Sequence, residues 1–176
     1  MKLQFLISQL IDPEDTHRTI TAVRRLSAFV DDSQVMDALC ALAVRTIRYC
    51  VREAVIDVLK ANPAGAGMRL SDYVLWSKIP SVRKWALVSL GLMRWRDAKD
   101  AVISGLYDPD ASVRQAAAMS STGLYDDSDV QAALEHYFAN HRLDSPLSFI
   151  AENAHTRQAG TRGQDDDEVS TTTVFI

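Results

Sequence analysis

Apolar residues recur along most of this chain at helical spacing and, on a longer scale, at an interval of 31 residues. Leu3, Leu6, Ile7 and Leu10 stand at i, i+3, i+4 and i+7, the stripe of an amphipathic helix. Three Val-Arg pairs, Val51-Arg52, Val82-Arg83 and Val113-Arg114, follow one another at steps of 31 and 31. After each pair a helical apolar pattern resumes: Ala54, Val55, Val58 and Leu59; Trp85, Ala86 and Leu90; Ala116, Ala117 and Met119. Counting back another 31 residues from Val51 reaches Ile20, with Thr21 in place of the arginine, as expected of a terminal repeat. A second helix closes each unit, as over Asp97–Leu106 and Ser128–Tyr137. Gly91 and Gly123 are expected to end helices in the left-handed conformation, and Ser128 and Asp129 to cap the helix that follows. The segment from Asn62 to Gly67 reads as an inter-helix loop. A last helix is expected to open at Asp144-Ser145-Pro146. The pattern therefore predicts ten helices: a lone N-terminal helix, four antiparallel hairpins and a final helix. That is an all-α fold in which each repeat buries its apolar face against the next, an α-solenoid.

The seven Gly and five Pro sit between the periodic segments, which favours helices over a many-turned β fold. Beyond about Gln158 the character changes to Gly160, Gly163 and the run Asp165–Glu168, a composition too polar to bury a core. We accordingly place the solenoid at residues 1–157 and a flexible, acidic C-terminal tail at 158–176. Its end, Thr171 to Ile176, is β-branched and aromatic. It has the chemistry to add a strand to a partner's sheet, to insert Phe175 and Ile176 into a groove, or to fold back on its own solenoid. Cys40 and Cys50 fall in apolar helical segments without C-x-x-C spacing and are expected as buried thiols. The N-terminal segment lacks the uninterrupted apolar run of a signal peptide, and no stretch is long enough to span a bilayer. The expectation is a soluble, cytoplasmic protein.

The stretch Asp108-Pro109-Asp110-Ala-Ser-Val113-Arg114-Gln-Ala-Ala-Ala118 resembles the HEAT repeat, in particular the short form of about thirty residues found in the bilin-lyase type. The likeness covers roughly residues 14 to 142, and Pro80-Ser81-Val82-Arg83 and Cys50-Val51-Arg52 keep part of the opening. It implies a superhelix of helix hairpins whose Arg52, Arg83 and Arg114 form a ladder along one edge, bonding to turn carbonyls or to Asp side chains of neighbouring repeats. Stacking of cations at one register position leads to the same structural expectation. Fold analogy with the bilin lyases also implies a chaperone or lyase, although no residue marks a pigment site.

Motifs for phosphate, dinucleotide or acyl chemistry are absent from the sequence. His17, His136, His141 and His155 show no metal-ligand spacing, and Glu135-His136 is the reverse of the His-Glu pairs carried by iron-binding helical-repeat hydroxylases. No metal, cofactor or catalytic residue is therefore expected, and an enzyme is the less favoured reading. Asp31-Asp32 and Asp126-Asp127 sit at turns, where capping accounts for them.

Charge is uneven. Residues 45 to 99 hold eleven Lys/Arg against four Asp/Glu, a balance of +7 inside a chain of net −4. All three tryptophans, Trp76, Trp85 and Trp95, lie in this basic middle. Two readings follow. In the first, the chain is a non-enzymatic scaffold or adaptor that docks a protein, with Arg45, Arg69, Arg94 and Arg96 as rim contacts and Trp95, placed in a turn, as anchor. In the second it handles nucleic acid, since cations interleaved with aromatics suit stacking on bases. The segment from Asp72 to Ala86 is similar to the HEAT-like alkylpurine DNA glycosylases. That likeness implies Asp72 and Trp76 facing a damaged nucleotide and Arg83 and Lys84 meeting phosphate.

Overall fold

The computed structural model describes residues 2–10 and 15–141. Among them are nine α-helices and no strand: α1 (Lys2–Ser8), α2 (Thr16–Leu26), α3 (Ser33–Arg45), α4 (Tyr49–Leu59), α5 (Pro63–Trp76), α6 (Pro80–Met93), α7 (Lys99–Leu106), α8 (Ala111–Ser120) and α9 (Ser128–Asn140). Three short 3-10 segments, at Ser27–Phe29, Arg96–Ala98 and Ser121–Gly123, lie in turns within hairpins. Helix α1 stands alone against α2; α2/α3, α4/α5, α6/α7 and α8/α9 are the four hairpins. Helices α2, α4, α6 and α8 pack in series as one layer, and α3, α5, α7 and α9 as the other. This is the all-α, HEAT-like solenoid that the periodicity predicts. Residues 1–140 form one compact unit; of the second, 141–176, only His141 is among the described residues. The helix expected at Asp144 and the tail from residue 158 lie outside them.

Helices α4, α6 and α8 start at Tyr49, Pro80 and Ala111, so the 31-residue register holds to the residue. The first interval differs. Helix α2 starts at Thr16, 33 residues before Tyr49. The partner of Arg52 in that helix is therefore Thr19, not Thr21, and its hydroxyl donates to Asp15 O at 2.9 Å. Five helices open on a side-chain cap that accepts backbone N–H groups: Asp15, Asp32, Asn62, Asp110 and Asp127. Each such cap contributes about 1 kcal/mol.

Four local expectations are corrected by these details. Asn62 to Gly67 is not a loop: Asn62 caps α5, Pro63 occupies its first turn, and both glycines are helical. The cap of α9 is Asp127, not Ser128 or Asp129. Cys40 is buried, but Cys50, on the outer side of α4, is exposed. Neither Gly91 nor Gly123 has positive φ. The left-handed residue that ends α6 is Arg94, at φ 52° and ψ 39°. Gly91 lies inside α6 for a different reason: a Cβ there would meet Ser120 Oγ at 2.9 Å and Cα at 3.0 Å. With Ala116, Ala117 and Ala118 buried opposite, it lets α6 and α8 approach closely enough for Ser120 Oγ to donate to Leu87 O at 2.7 Å.

The N-terminal stripe packs as its spacing suggests. Leu10 is buried, and Leu3, Leu6 and Ile7 lie half-buried against the same core. That core runs without a break from α1 to Tyr137 of α9.

Candidate functional site

Hairpin topology puts the turns between successive hairpins (46–48, 77–79, 107–110) at one end of the repeats. The turns within hairpins lie at the other. The ends are separated by the length of α6, whose 14 residues span about 20 Å. This separation divides the candidate residues.

At the first end, each Val-Arg arginine sits in the first turn of its helix and reaches back to the carbonyl six residues upstream: Arg52 to Thr46 O, Arg83 to Ser77 O at 3.0 Å, and Arg114 to Asp108 O at 2.9 Å. These carbonyls end the preceding helices, where acceptors and the negative pole of the helix dipole attract a cation. Arg83 also forms a two-pronged ion pair with Asp108, at 2.6 and 2.8 Å, which ties α6 to the turn of the next repeat. Those bonds to Asp108 hold the Arg83 guanidinium above its ordinary pKa. Arg52 is different. It is 1% exposed, Nε donates to Ala43 O at 3.0 Å, and its guanidinium carbon lies 3.6 Å from the centre of the Trp85 ring. Carbonyls and an aromatic face surround this cation, and burial lowers its pKa.

Other pairs join positions about one repeat apart. Arg69 of α5 binds Asp37 and, at 2.9 Å, Ser33 Oγ of α3. Arg96 binds Asp126, and Lys99 binds Asp129 and, at 3.2 Å, Asp127. Asn62 Nδ2 donates to Asp31 at 3.0 Å, and Arg48 to Thr16 Oγ1. The bond from Arg96 holds the Asp126 carboxyl below its usual range. Much of the basic middle is thus matched to acids of adjoining repeats. Of the expected rim residues, Arg69 and Arg96 are in these pairs. Arg94 and Arg96 lie at the within-hairpin end and Arg45 at the opposite end, so the four do not form one patch.

The tryptophans take three different roles. Trp85 covers Arg52, with Lys84 Nζ 5.1 Å from its ring centre. Trp95 is half-buried against the core, and its ring lies on Gly67 of α5, where a Cβ would come to 2.6 Å from Cε2. Packing therefore accounts for the aromatic in this turn, against the expectation of an exposed anchor. Trp76, the last residue of α5, is 78% exposed.

Around Trp76, large apolar side chains are concentrated on the turn edge: Ile47 (87% exposed), Tyr49, Ile79 and Tyr107. The 31-residue register aligns them with cations. Arg45, Trp76 and Tyr107 are equivalent positions, and so are Arg48 and Ile79, and Ile47 and Lys78. Arg45 is exposed at the end of α3, its Nε donating to Ala41 O of its own helix at 3.1 Å. It acts on the nearby Tyr73 hydroxyl, whose pKa is raised chiefly by burial. The neighbouring Glu53 carboxylate raises the pKa of the Tyr49 hydroxyl. Tyr107 lies 5.2 Å from the ring of His136. The edge is a checkerboard of cations and apolar groups, and 31-residue alignment of the sequence makes it visible.

Beside this edge, α3 and α5 form an open groove of about 590 Å³, lined by Asp37, Cys40, Arg69, Asp72, Tyr73, Trp76 and Ser77. Burial pushes the Cys40 thiol up to about 12, so it is a poor nucleophile. The groove brings Asp72 and Trp76 together. It does not include Arg83, which is bonded to Asp108, or Lys84, which lies against Trp85. Arg94 is at the far end of α6 from both.

Among the described residues no group of His, Cys, Asp and Glu is arranged to hold a metal ion, and no helix is long and apolar enough to cross a membrane.

The architecture and the Asp108–Arg114 turn mark a HEAT-like helical repeat protein. A family model described as the HEAT repeat associated with sister chromatid cohesion matches residues 99–117, from α7 across that turn into α8. No curated protein matches the chain.

Proposed function

We propose that this chain is a non-enzymatic protein-binding scaffold, and that its contact surface is the turn edge around Trp76. The observation that carries the reading is the exposure of a tryptophan among Ile47, Tyr49 and Ile79, on a molecule whose other two tryptophans are packed. Clustered exposed apolar side chains rimmed by polar groups mark interaction surfaces, and Trp, Tyr and Arg dominate the energetics of such contacts. Among the residues considered from sequence, Arg45 belongs to this surface and Arg69 to the adjoining groove. Trp95 and Arg96 are given a packing and an ion-pairing role. Arg52, Arg83 and Arg114 we assign to holding the repeats in register.

The nucleic-acid reading needs Arg83 and Lys84 turned toward phosphate, and their bonds to Asp108 and Trp85 favour the protein reading instead. Affinity capture from the source cells with the full chain is expected to retain specific proteins. Trp76→Ala should cost those proteins on the order of 2 kcal/mol of affinity, whereas Met119→Ala, an exposed residue of α8, should cost nothing. Equal capture by the two variants contradicts this surface.

A further inference from the structure

The register of the turn edge specifies more than its location. Arg45 and Trp76 are the last residues of α3 and α5, Tyr107 follows the last residue of α7 at the same register position, and all three side chains are exposed. Neighbouring helices of a layer lie about 8–10 Å apart. The ion pairs from Arg69 to Asp37 and from Lys99 to Asp129 show that positions about one repeat apart are within side-chain reach. An extended chain of polyproline-II form advances about 3.1 Å per residue with three residues per turn, so every third side chain returns to the same face after about one repeat.

From this coincidence we propose that the edge binds an extended peptide segment with an acidic residue, a bulky apolar residue three positions on, and a second bulky apolar residue three further. The inference rests on the protein-binding reading above and names the chemistry of the partner. The acid pairs with Arg45, whose Nε bond stays within its own helix and leaves the rest of the guanidinium exposed. The first apolar side chain lies on Trp76, with Ile79 beside it. The second lies on Tyr107, which the ring of His136 supports. Arg48 and Lys78 add positive charge along the same line. The acids of this edge are Asp108, paired with Arg83; Asp110, which caps α8; Glu53, beside Tyr49; and Asp72, one turn before Trp76 on the groove side. The edge is therefore complementary to an acidic segment, and like charge disfavours a basic one.

The test uses the full chain and two fluorescein-labelled peptides of identical composition. One is Ser-Glu-Ser-Gly-Phe-Ser-Gly-Phe-Ser-Gly, which has the proposed spacing. The other is Ser-Glu-Phe-Phe-Ser-Gly-Ser-Gly-Ser-Gly, which does not. Fluorescence anisotropy at low salt is expected to show the spaced peptide binding about fivefold or more tightly. Trp76→Ala should abolish that preference, and Arg45→Glu should weaken the spaced peptide while raising the salt sensitivity of neither. Both are exposed positions, and circular dichroism reports whether each variant is folded. Equal affinities for the two peptides, or a preference that survives Trp76→Ala, overturn the proposed spacing. That failure is separable from failure of the surface itself, because capture dependent on Trp76 would then persist. Loss of that dependence overturns both.

Discussion

Gly67→Ala should destabilise the protein, although alanine is normally the better helix residue. Position 67 is in the second turn of α5, where replacing Gly by Ala would ordinarily stabilise by up to about 1 kcal/mol. Here the added methyl would enter the face of Trp95, at 2.6 Å from Cε2 and closer still to Cδ2 and Cε3. A fused ring offers no flexible end to yield, and overpacking of this kind costs about 1–3 kcal/mol. The net expectation is a loss of about 1 kcal/mol for Gly67→Ala, and several for Gly67→Leu, read from urea unfolding. The double variant Gly67→Ala with Trp95→Leu should be more stable than Gly67→Ala alone, because the methyl then has space. If the two substitutions act independently, Trp95 does not rest on Gly67. In that case the assignment of Trp95 to packing rather than to partner binding is wrong.

The second large effect is expected at Arg52. Truncation to Ala removes donors to Ala43 O and Thr46 O and the cation beneath Trp85, and opens a void between α3, α4 and α6. Buried carbonyls left without partners cost about 1–3 kcal/mol, and the void adds to that. A loss of about 3 kcal/mol or more is the expected result. Arg52→Lys should recover little of it, because a single ammonium cannot serve two carbonyls and stack as a plane on the indole. Arg52→Met, which fills the volume without charge, should lie between them. The same truncation at Arg114, half-exposed at the matching position, should cost less. A loss below about 1 kcal/mol at Arg52 would mean that the guanidinium is not held as described.

These two sites illustrate what was legible in the sequence. The Val-Arg interval pointed to the four hairpins, their order and the positions of three arginines, because a repeat must place equivalent side chains in equivalent surroundings. It did not reveal that Trp85 covers Arg52, since that contact joins α4 to α6 and depends on the distance between helices. Glycine was misread for a similar reason. Gly67 and Gly91 look like turn residues in one dimension, but both serve close approach between elements far apart in sequence, while the left-handed position fell to Arg94. The additional two residues ahead of α4 displaced the first repeat from 31 to 33, and no local signal records them.

The candidate site was legible only in part. The concentration of cations and tryptophans in the middle of the chain was visible from composition. Which of them remain available was not, because pairing to Asp37, Asp108, Asp126 and Asp129 is set by the stacking of repeats. Trp95, in a turn, looked like a contact anchor and is packed, whereas Trp76, singled out only through the likeness to the DNA glycosylases, ends a helix and is open to solvent.

The proposed partner sits on the turn edge beside Trp76. Replacing Trp76 in the full chain by a photo-crosslinking phenylalanine derivative, with the same replacement at Met119 as reference, tests this placement most directly. Irradiation in the source cells should join position 76, and not 119, to a defined protein, through a segment that carries acidic and bulky apolar residues. Crosslinks formed equally from both positions, or from 119 alone, would contradict it.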